Sequence, residues 1–561
     1  QENFSDQIGI LTGDVTINPA APVLIMTTEI FRNKVLEERS SLEDYSWIIF
    51  DEIHYLDDYE RGSVWEESLI FLPPKMKMLG LSATIPNIQE FTDWLQYIHK
   101  IPLKIVKEDT RPVPLHFFYQ CQNKILDDAH KIKHVPRHEH LRPNRPDSLI
   151  RYLFENNKLP CIYFAFSRRR CEYLAEEIKG LDFLNHHERG EIKTLYKSLC
   201  GRFDLANDRN AELMLPLIER GVAFHHAGMM PTLKEVIERL FTSRLLKVIF
   251  TTETFALGIN MPSRTVVFDE LRKFYGHYYG SLKTRDFYQM AGRAGRRGID
   301  QEGFVYSRVN LRRTSFQELH HIIYGEPEKV LSRFNASYAT ILNLYLRYGE
   351  KLYEIYPLSF HYFQSRKNHR KKALDMMYAK VKILKDLGYI KNNALTEKGI
   401  FASKIYGYEL SLGELHENGL LENLSETELG TLVTALVFEP RKNTVMPSLN
   451  RTAKSLKNIT ENILGRIQKI EQKAGSRPLS KNYFYHLSPC VEAWLRKENF
   501  DNILRYTDID EGEIIRYFRM AVQILRELLD TPSSNEFKGK VSKLMRDINR
   551  DVIDAEKQLR G

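Results

Sequence analysis

The amino-acid sequence predicts an α/β fold, two parallel-sheet domains in succession, that gives way to a helical carboxyl-terminal part. Three observations predict it. Short continuous apolar runs such as Trp47-Ile48-Ile49-Phe50 and Val248-Ile249-Phe250 have the composition of strands buried on both faces. These runs end in acids or hydroxylated residues, the ending expected where a parallel sheet turns its carboxyl edge toward a ligand. From about residue 326 such runs stop and helical periodicity takes over.

The chain has 561 residues, enough for three or four domains. A content of 43% hydrophobic and 27% charged residues is ordinary for a globular protein, so no segment has to be disordered. Lys and Arg number 81 against 73 acids, a net charge of +8 that permits a polyanionic partner without requiring one. The apolar runs are too short to cross a membrane. Five scattered cysteines (Cys121, Cys161, Cys171, Cys200 and Cys490) form no C-x-x-C pair. That argues against zinc and disulfides and for a reducing, intracellular, cytoplasmic setting. No signal-peptide pattern is visible, and an opening at Gln1 rather than Met leaves an upstream targeting segment open.

In chain order, Ile10-Leu11 and Val23-Leu24-Ile25-Met26 read as strands flanking Thr12-Gly13-Asp14. Thr27 and Thr28 then precede an amphipathic helix, where they suit phosphate contacts or simple N-capping by Thr28. Asp51 and Glu52 follow Trp47-Ile48-Ile49-Phe50 directly. One carboxylate there can hold Mg²⁺ through its water shell while the next orients an attacking water. A bare Asp-Glu pair also reads as a solvated acidic turn. Met78-Leu79-Gly80-Leu81 is a further buried strand ending in Ser82-Ala83-Thr84, and residues 106–115, with two prolines, read as a linker.

The second α/β unit begins with a strand ending at Ser167, followed by a helix with Arg168, Arg169 and Arg170 in its first turn. Arginines there oppose the helix dipole, so they are expected to serve a partner. His225 and His226 lack a third ligand at metal spacing and read as packing residues. The next strand leads to Thr251-Thr252-Glu253-Thr254 and then to Gly258-Ile259-Asn260. In Gln289-Met290-Ala291-Gly292-Arg293-Ala294-Gly295-Arg296-Arg297-Gly298, Arg293 and Arg296 lie three apart, as on one face of a helical turn. Glycines between them let a bulky anion or another domain approach, and such an arginine pair suits a triphosphate.

In residues 365–400, Leu374, Met377, Val381, Leu384 and Leu387 repeat at helical spacing, and a hairpin with an Asn-Asn turn follows, which together suggest a winged helix. Its first turns are rich in Lys and Arg, either a nucleic-acid face or a solvated one. Leu456, Ile459, Ile463, Ile467 and Ile470 read as a core stripe of a later helix. Asp510 and Glu513 resemble a capping box for a helix reaching Asp530. On it, Ile514, Phe518, Leu525 and Leu529 face inward, and Arg516, Arg519, Gln523 and Arg526 form the opposite stripe, spaced to follow a phosphate backbone.

Together these strings resemble the superfamily 2 helicases, and more narrowly the superkiller-type DExH-box RNA helicases, the exosome-helicase-like group with a DSH C-terminal domain. The carriers are the DExH box Asp51-Glu52-Ile53-His54, Ser82-Ala83-Thr84, the TTETFALGINMP string from Thr251 to Pro262, and the QMAGRAGRRG string from Gln289 to Gly298. FHHAGMMP from Phe224, RPVPL from Arg111 and LKDLGYI from Leu384 are also similar to that group. The resemblance implies two RecA-like parallel-sheet domains, the first incomplete, at 1–108 and 109–325. A winged helix at 326–408 and an all-α helical bundle at 409–561 would follow.

It also implies an ATP-dependent RNA helicase that uses ATP and Mg²⁺. Asp51 would organise Mg²⁺ and Glu52 activate water, with His54 completing the box. Gln289 would read the γ-phosphate, and Arg293 and Arg296 would neutralise it. Ser82, Ala83, Thr84, Gly258 and Asn260 would couple nucleotide to motion. Thr27, Thr28, Ser167, Thr251, Thr254, Arg516 and Arg519 would hold a strand of RNA, and Phe274, Tyr278 and Tyr279 lie where the family carries a strand-separating hairpin. The implied partners are single-stranded or 3′-tailed RNA and an exoribonuclease or other RNA-decay protein, with no membrane and a monomeric state. The family's phosphate-binding loop, G-x-x-x-x-G-K-[ST], does not occur in the sequence, so an N-terminally truncated chain without ATPase activity of its own is expected. Phe363-Gln364 runs almost directly into the helix at Ser365, so no long arch insertion is expected. A DNA helicase of the same superfamily and a non-hydrolysing nucleic-acid clamp are the alternative readings.

Overall fold

Trp47–Phe50 is a strand, paired in parallel with Lys77–Gly80 so that Trp47 faces Lys77 and Phe50 faces Gly80. The computed structural model describes residues 7–13, 15–58, 61–83, 85–135, 143–256, 261–275, 278–334, 337–441 and 444–555. They divide into two units: Gln1–Ala83, Asn87–Lys104 and Val330–Arg560 form the first, and Ile105–Lys329 with Thr84–Pro86 the second.

In the first unit a three-stranded sheet places Ile8–Leu11 between Thr16–Ile17 and Val23–Met26, the latter parallel to it. Helices Thr28–Glu37 and Gly62–Ile70 cover one face. There Phe50 meets Phe31 edge-on at 5.7 Å and Trp65 at 6.0 Å. The opposite face departs from the expected double burial. Trp47 and Ile49 are 58% and 61% exposed, and Val23, Ile25, Leu79 and Leu81 are exposed too. Among the described residues, strands Trp47–Phe50 and Lys77–Gly80 pair only with each other.

The same unit contains the helical carboxyl-terminal part. Helix Ile88–His99 buries Trp94 completely, its indole donating to the Leu358 carbonyl at 2.8 Å. Helix Phe360–Gln364 is separated by two residues from Lys367–Asp386, so no arch interrupts the chain there. Gly388 (φ +78°) ends the long helix, and a hairpin pairs Ile390–Lys391 with Ala394–Leu395 around Asn392 and Asn393, both in the left-handed region. Helices Glu409–Glu417, Glu426–Val437, Arg451–Lys473, Glu511–Leu529 and Asn535–Ile548 make up the bundle. Ile459 is 39% exposed and leaves the expected stripe, where Thr460 and Leu464 are buried instead. Asp510 is the N-cap of Glu511–Leu529 but makes no side-chain cap bond, so the expected capping box is not formed. Asp510 and Glu513 both turn to Arg441, at 3.5 and 2.7 Å.

Two adjacent acids on helix Gly62–Ile70 join these parts. Glu67 binds Arg32 at 3.2 Å and accepts from Thr340 Oγ1 at 2.8 Å. Glu66, with no exposed surface, bonds Ser332 Oγ at 2.5 Å and accepts from the His361 backbone N–H at 3.3 Å.

The second unit is built on a seven-stranded sheet. Its order is Lys124–Leu126, Leu115–Cys121, Gly303–Arg308, Thr265–Phe268, Cys161–Phe164, Val248–Thr251 and Val222–His225. All neighbours are parallel except the antiparallel pair at the Lys124–Leu126 edge. Four strands, Cys161–Phe164, Val248–Thr251, Thr265–Phe268 and Gly303–Arg308, are buried at every residue, as continuous apolar runs in a doubly covered sheet should be. A two-stranded hairpin, Arg272–Phe274 with Tyr279–Ser281, follows the Thr265–Phe268 strand.

Burial pushes the Glu66 carboxyl up to about 7 from 4.5, only partly offset by the bonds from Ser332, His361 and Phe360. Between these values the folded chain keeps a proton that the unfolded chain has released. Stability therefore falls as pH rises from about 4.5 to about 7, by on the order of 3 kcal/mol from this group. Glu66→Gln cannot ionise, so it is expected to flatten the decline and to raise the melting temperature at pH 8. Parallel melting-temperature profiles for the two proteins would show that Glu66 does not titrate there.

Candidate nucleotide and nucleic-acid sites

In the first unit the strand end is closed by backbone bonds from Leu81 N to Phe50 O (2.8 Å) and from Ile53 N to Leu81 O (3.0 Å). Asp51 is exposed beyond them, and Glu52 adopts a left-handed backbone (φ +57°, ψ +44°), a conformation that non-glycine residues rarely hold. The turn brings Glu52 Oε2 to 3.3 Å from His54 Nδ1. The same ring nitrogen lies 3.1 Å from Ser82 Oγ. His54 is buried and stacks on Tyr55 at 4.9 Å, which fixes the ring. An acid, an imidazole and a hydroxyl from the two strand ends thus form one connected set. Ala83 beside Ser82 is exposed; Thr84, Gly258 and Asn260 lie outside the described residues.

Thr27 is the N-cap of helix Thr28–Glu37 and makes no side-chain cap bond, so the N-capping reading of Thr28 does not hold. Arg61 clamps Glu29 in the first turn of that helix at 2.7 and 3.2 Å.

In the second unit Ser167 is exposed and caps helix Arg168–Glu177, accepting from Arg170 N at 3.2 Å. Thr251 is fully buried and donates to the Thr252 carbonyl at 3.2 Å, so its hydroxyl faces the fold. Thr254 is exposed, 2.9 Å from the Thr252 hydroxyl. His225 and His226 pack against Glu238 and Glu172 at 2.8 and 2.9 Å, and no cluster able to hold a metal exists among the described residues.

Gln289 sits half-buried in the last turn of helix Thr284–Ala291. Arg293 and Arg296 lie beyond the helix end, not on a helical turn as the spacing suggested. The chain there is pinned to its own domain. Ser263 N donates to Arg293 O and Gly295 N to Ser263 O, both at 2.8 Å. Arg111 Nη2 donates to the carbonyls of Gly292 (2.8 Å) and Ala294 (2.6 Å). Arg296 grips Asp300 through Nε (2.7 Å) and Nη2 (2.8 Å). Burial raises the Asp300 pKa, but the hydrogen bonds from Arg296 outweigh that and hold it below the usual carboxylate range. Gly295 serves close packing rather than anion access: at φ +80°, a Cβ would lie 2.5 Å from Val113 Cγ1. Asp300 was not singled out by the sequence, and Arg111 only as the first residue of the RPVPL string.

Arg516 is exposed on helix Glu511–Leu529. Arg519 donates to the carbonyls of Ile553 (2.8 Å) and Val552 (3.3 Å), and Arg526 to Gly13 O. The expected basic stripe is thus partly committed to the protein.

Comparison with known proteins agrees with this arrangement. Residues 5–91 match the DEAD/DEAH box helicase family, 200–298 the helicase conserved C-terminal domain and 392–556 the DSHCT (NUC185) domain. These domains and the DExH set place the chain in superfamily 2 of the helicases. Among curated relatives, "mRNA transport homolog 4" of Caenorhabditis elegans is 38% identical over 395 residues, covering 65% of this chain and 38% of the relative. "Superkiller complex protein 2" of Homo sapiens is 36% identical over 457 residues (74% and 36%). "Exosome RNA helicase MTR4" of Homo sapiens is 36% identical over 375 residues (61% and 36%). The chain belongs to the superkiller-type DExH-box group with a DSHCT domain. It spans between a third and about two fifths of the length of these curated relatives.

The geometry of the Gly292–Gly298 turn makes two glycines unequal. Gly295→Ala meets both a left-handed backbone and the Val113 side chain, and is expected to destabilise the second unit by roughly 2–3 kcal/mol. Gly298→Ala, with open space around it at φ +76°, is expected to cost about 1 kcal/mol. Urea unfolding of both variants compares them, and equal midpoints would refute the packing role of Gly295.

Proposed function

We propose that this chain belongs to an ATP-dependent helicase that moves along single-stranded or 3′-tailed RNA during RNA processing or decay, as a monomer in a reducing compartment. The observation that carries the reading is the Glu52–His54–Ser82 set, which ties a carboxylate to a hydroxyl on the next strand. The proposed division is a first RecA-like domain to residue 108, a second to 325, a winged helix to 408 and a bundle beyond. The names of two relatives, a superkiller complex protein and an exosome RNA helicase, support an RNA substrate and an exosome-type partner.

The residues at this strand end fit Mg²⁺. Asp51 is an exposed carboxylate beside Glu52, and no group of three or more acids, histidines or cysteines able to cage a metal exists among the described residues. Mg²⁺ bound by one or two carboxylates, water and nucleotide phosphates needs no more than that. On this reading Asp51 holds the ion's water shell and Glu52 orients the attacking water. Gln289, Arg293 and Arg296 face the triphosphate, an arginine contribution of the kind that is worth on the order of 10³–10⁵ in rate. His54 links the state of Glu52 to Ser82 and so to the strand that carries it.

Residues 1–561 contain no G-x-x-x-x-G-K-[ST] loop. The chain by itself is therefore expected to bind RNA and to hydrolyse ATP slowly, and robust RNA-stimulated turnover by it would sink that expectation. In a chimera that takes the loop from a relative, Glu52→Gln should leave ATP and RNA affinity in place and lower hydrolysis by orders of magnitude. Hydrolysis within a few-fold of the parent, with RNA and DNA strands tested side by side, would remove Glu52 from the catalytic role.

The two arginines of helix Glu511–Leu529 are expected to separate. Arg516→Ala should reduce the salt slope of RNA binding by up to ~0.7 at unchanged melting temperature. Arg519→Ala should lower the melting temperature, because it leaves the Ile553 and Val552 carbonyls without their donor. A slope unchanged in both variants would take this helix out of the RNA path.

A further inference from the structure

Strand order in the second unit divides the carboxyl edge of the sheet into two fields. Strand Thr265–Phe268 lies in the middle, and the Arg272–Phe274 and Tyr279–Ser281 hairpin follows directly from its carboxyl end. On one side are strands Cys161–Phe164 and Val248–Thr251, which lead to the exposed hydroxyls of Ser167 and Thr254. On the other side are Gly303–Arg308 and Leu115–Cys121. Over that second field, and reaching Arg170 of the helix that Ser167 caps, opens a pocket of about 550 Å³ lined by five arginines and two carboxylates.

The floor of the pocket is rigid. Asp269 takes Arg170 Nε at 2.8 Å, the Tyr163 hydroxyl at 2.9 Å, and Arg308. Arg308 is itself buried and also donates to Gln120 Oε1 (3.0 Å) and to Asn144 O (2.6 Å). One carboxylate between two guanidinium groups leaves a net positive floor whose geometry is set before any ligand arrives.

The rim is different. Arg312 is exposed and the Arg313 side chain is 60% exposed. Arg313 pairs with Glu270 at 2.7 Å, and Glu270 also accepts from the Tyr279 hydroxyl of the hairpin at 2.6 Å. Exposed pairs of this kind are worth about 0–1 kcal/mol and exchange readily, whereas arginine binds phosphate through stronger, often bidentate, charge-assisted bonds. The Tyr279–Glu270 bond makes pocket and hairpin one piece. Phe274 and Tyr278, both 58% exposed, offer the hairpin's ring faces.

From this juxtaposition we infer that the arginine pocket is a phosphodiester site for the second strand of a duplex, the one that leaves the hairpin on the side away from Ser167 and Thr254. The inference rests on the RNA-helicase reading above and adds to it the path of the strand that is not tracked. A base pair opened at the hairpin delivers one backbone to the hydroxyl field and the other to the guanidinium field. The excess of arginine over carboxylate favours a polyanion, and a cavity of this size receives more than one phosphate with its sugar.

The test uses the 561-residue chain and three labelled RNAs: a single strand, the same strand annealed to form a fork with two unpaired arms, and the same duplex whose second strand has no arm. Arg312→Ala with Arg313→Ala is expected to weaken the fork by about tenfold and to flatten its salt slope by up to ~0.7 for each phosphate that is no longer neutralised. Binding of the single strand and of the armless duplex should change by less than about twofold, at unchanged melting temperature. If the double variant does not fold, Arg312→Gln alone is read the same way, with a smaller expected effect. An equal weakening on the single strand overturns the inference, because the pocket then belongs to the tracked path. Unchanged binding of every RNA, the result expected of a site for an acidic peptide, also overturns it. If the parent chain binds none of the three RNAs, the helicase reading itself falls and this inference with it.

Discussion

Two wholly buried carboxylates on one turn of helix, Glu66 and Glu67, hold the first unit together. Burying an acid is costly unless it is paired, hydrogen-bonded or protonated, and here the two neighbours use different solutions. Glu67 meets Arg32 and Thr340, Glu66 sits among Ser332 and backbone N–H groups, and burial raises the proton affinity of both. Both carboxylates reach from the helix after the DExH turn to residues more than 260 positions later. Arg333 adds a third tie, to Asp57 at 3.0 Å. Strand, DExH turn and the later helices are therefore not separable modules: removing residues 332–361 would take Ser332 and the His361 N–H from Glu66 and Thr340 from Glu67, leaving Glu67 with Arg32.

The second unit depends on the reverse arrangement, a single acid between two bases. Burial raises the Asp269 pKa, but the hydrogen bond from Arg170 and the charges of Arg308 and Arg170 prevail, so the carboxylate is held below its usual range. The ends of strands Cys161–Phe164, Thr265–Phe268 and Gly303–Arg308 are thereby locked at one height, through Tyr163, Asp269 and Arg308. Asp269 lies only three residues before Arg272, so this lock stands at the root of the Arg272–Phe274 and Tyr279–Ser281 hairpin.

Much of this was legible in the sequence where the signal is local. Continuous apolar runs ending in acids or hydroxyls marked the strands of both units, and Asn392-Asn393 marked the hairpin turn because asparagine tolerates the left-handed backbone. What failed depends on partners distant in sequence. Trp47 and Ile49 are apolar enough for a doubly covered strand, yet composition does not say how many neighbours a strand has. The burial of Thr251 follows from the position of its strand inside the seven-stranded sheet. Arg519 and Arg526 kept the spacing of a phosphate-tracking stripe, but their carbonyl partners lie at Ile553, Val552 and Gly13, and no periodicity within one helix reveals them. The Asp300 partner of Arg296 was close in sequence and still missed, because two glycines in the left-handed region turn an apparent helix into a loop that folds back on itself.

That loop bears on how the arginines act. Arg296 is bidentate to Asp300 and only 14% exposed, so it is not waiting in solvent for an anion. To face a triphosphate it must leave a carboxylate that is itself 5% exposed. Asp300 would keep the backbone bond from Arg296 N at 2.9 Å but lose its counter-charge. Stranding a buried carboxylate costs far more than an exposed pair returns, so only a ligand with more charge than one carboxylate can take the arginine from it. A nucleoside triphosphate meets that condition and a diphosphate meets it less well. On the proposed reading the Arg296–Asp300 pair therefore makes engagement of the arginine sensitive to the γ-phosphate. Meanwhile Arg111, Ser263 and Gly295 keep the backbone of the turn in place while the side chain changes partner.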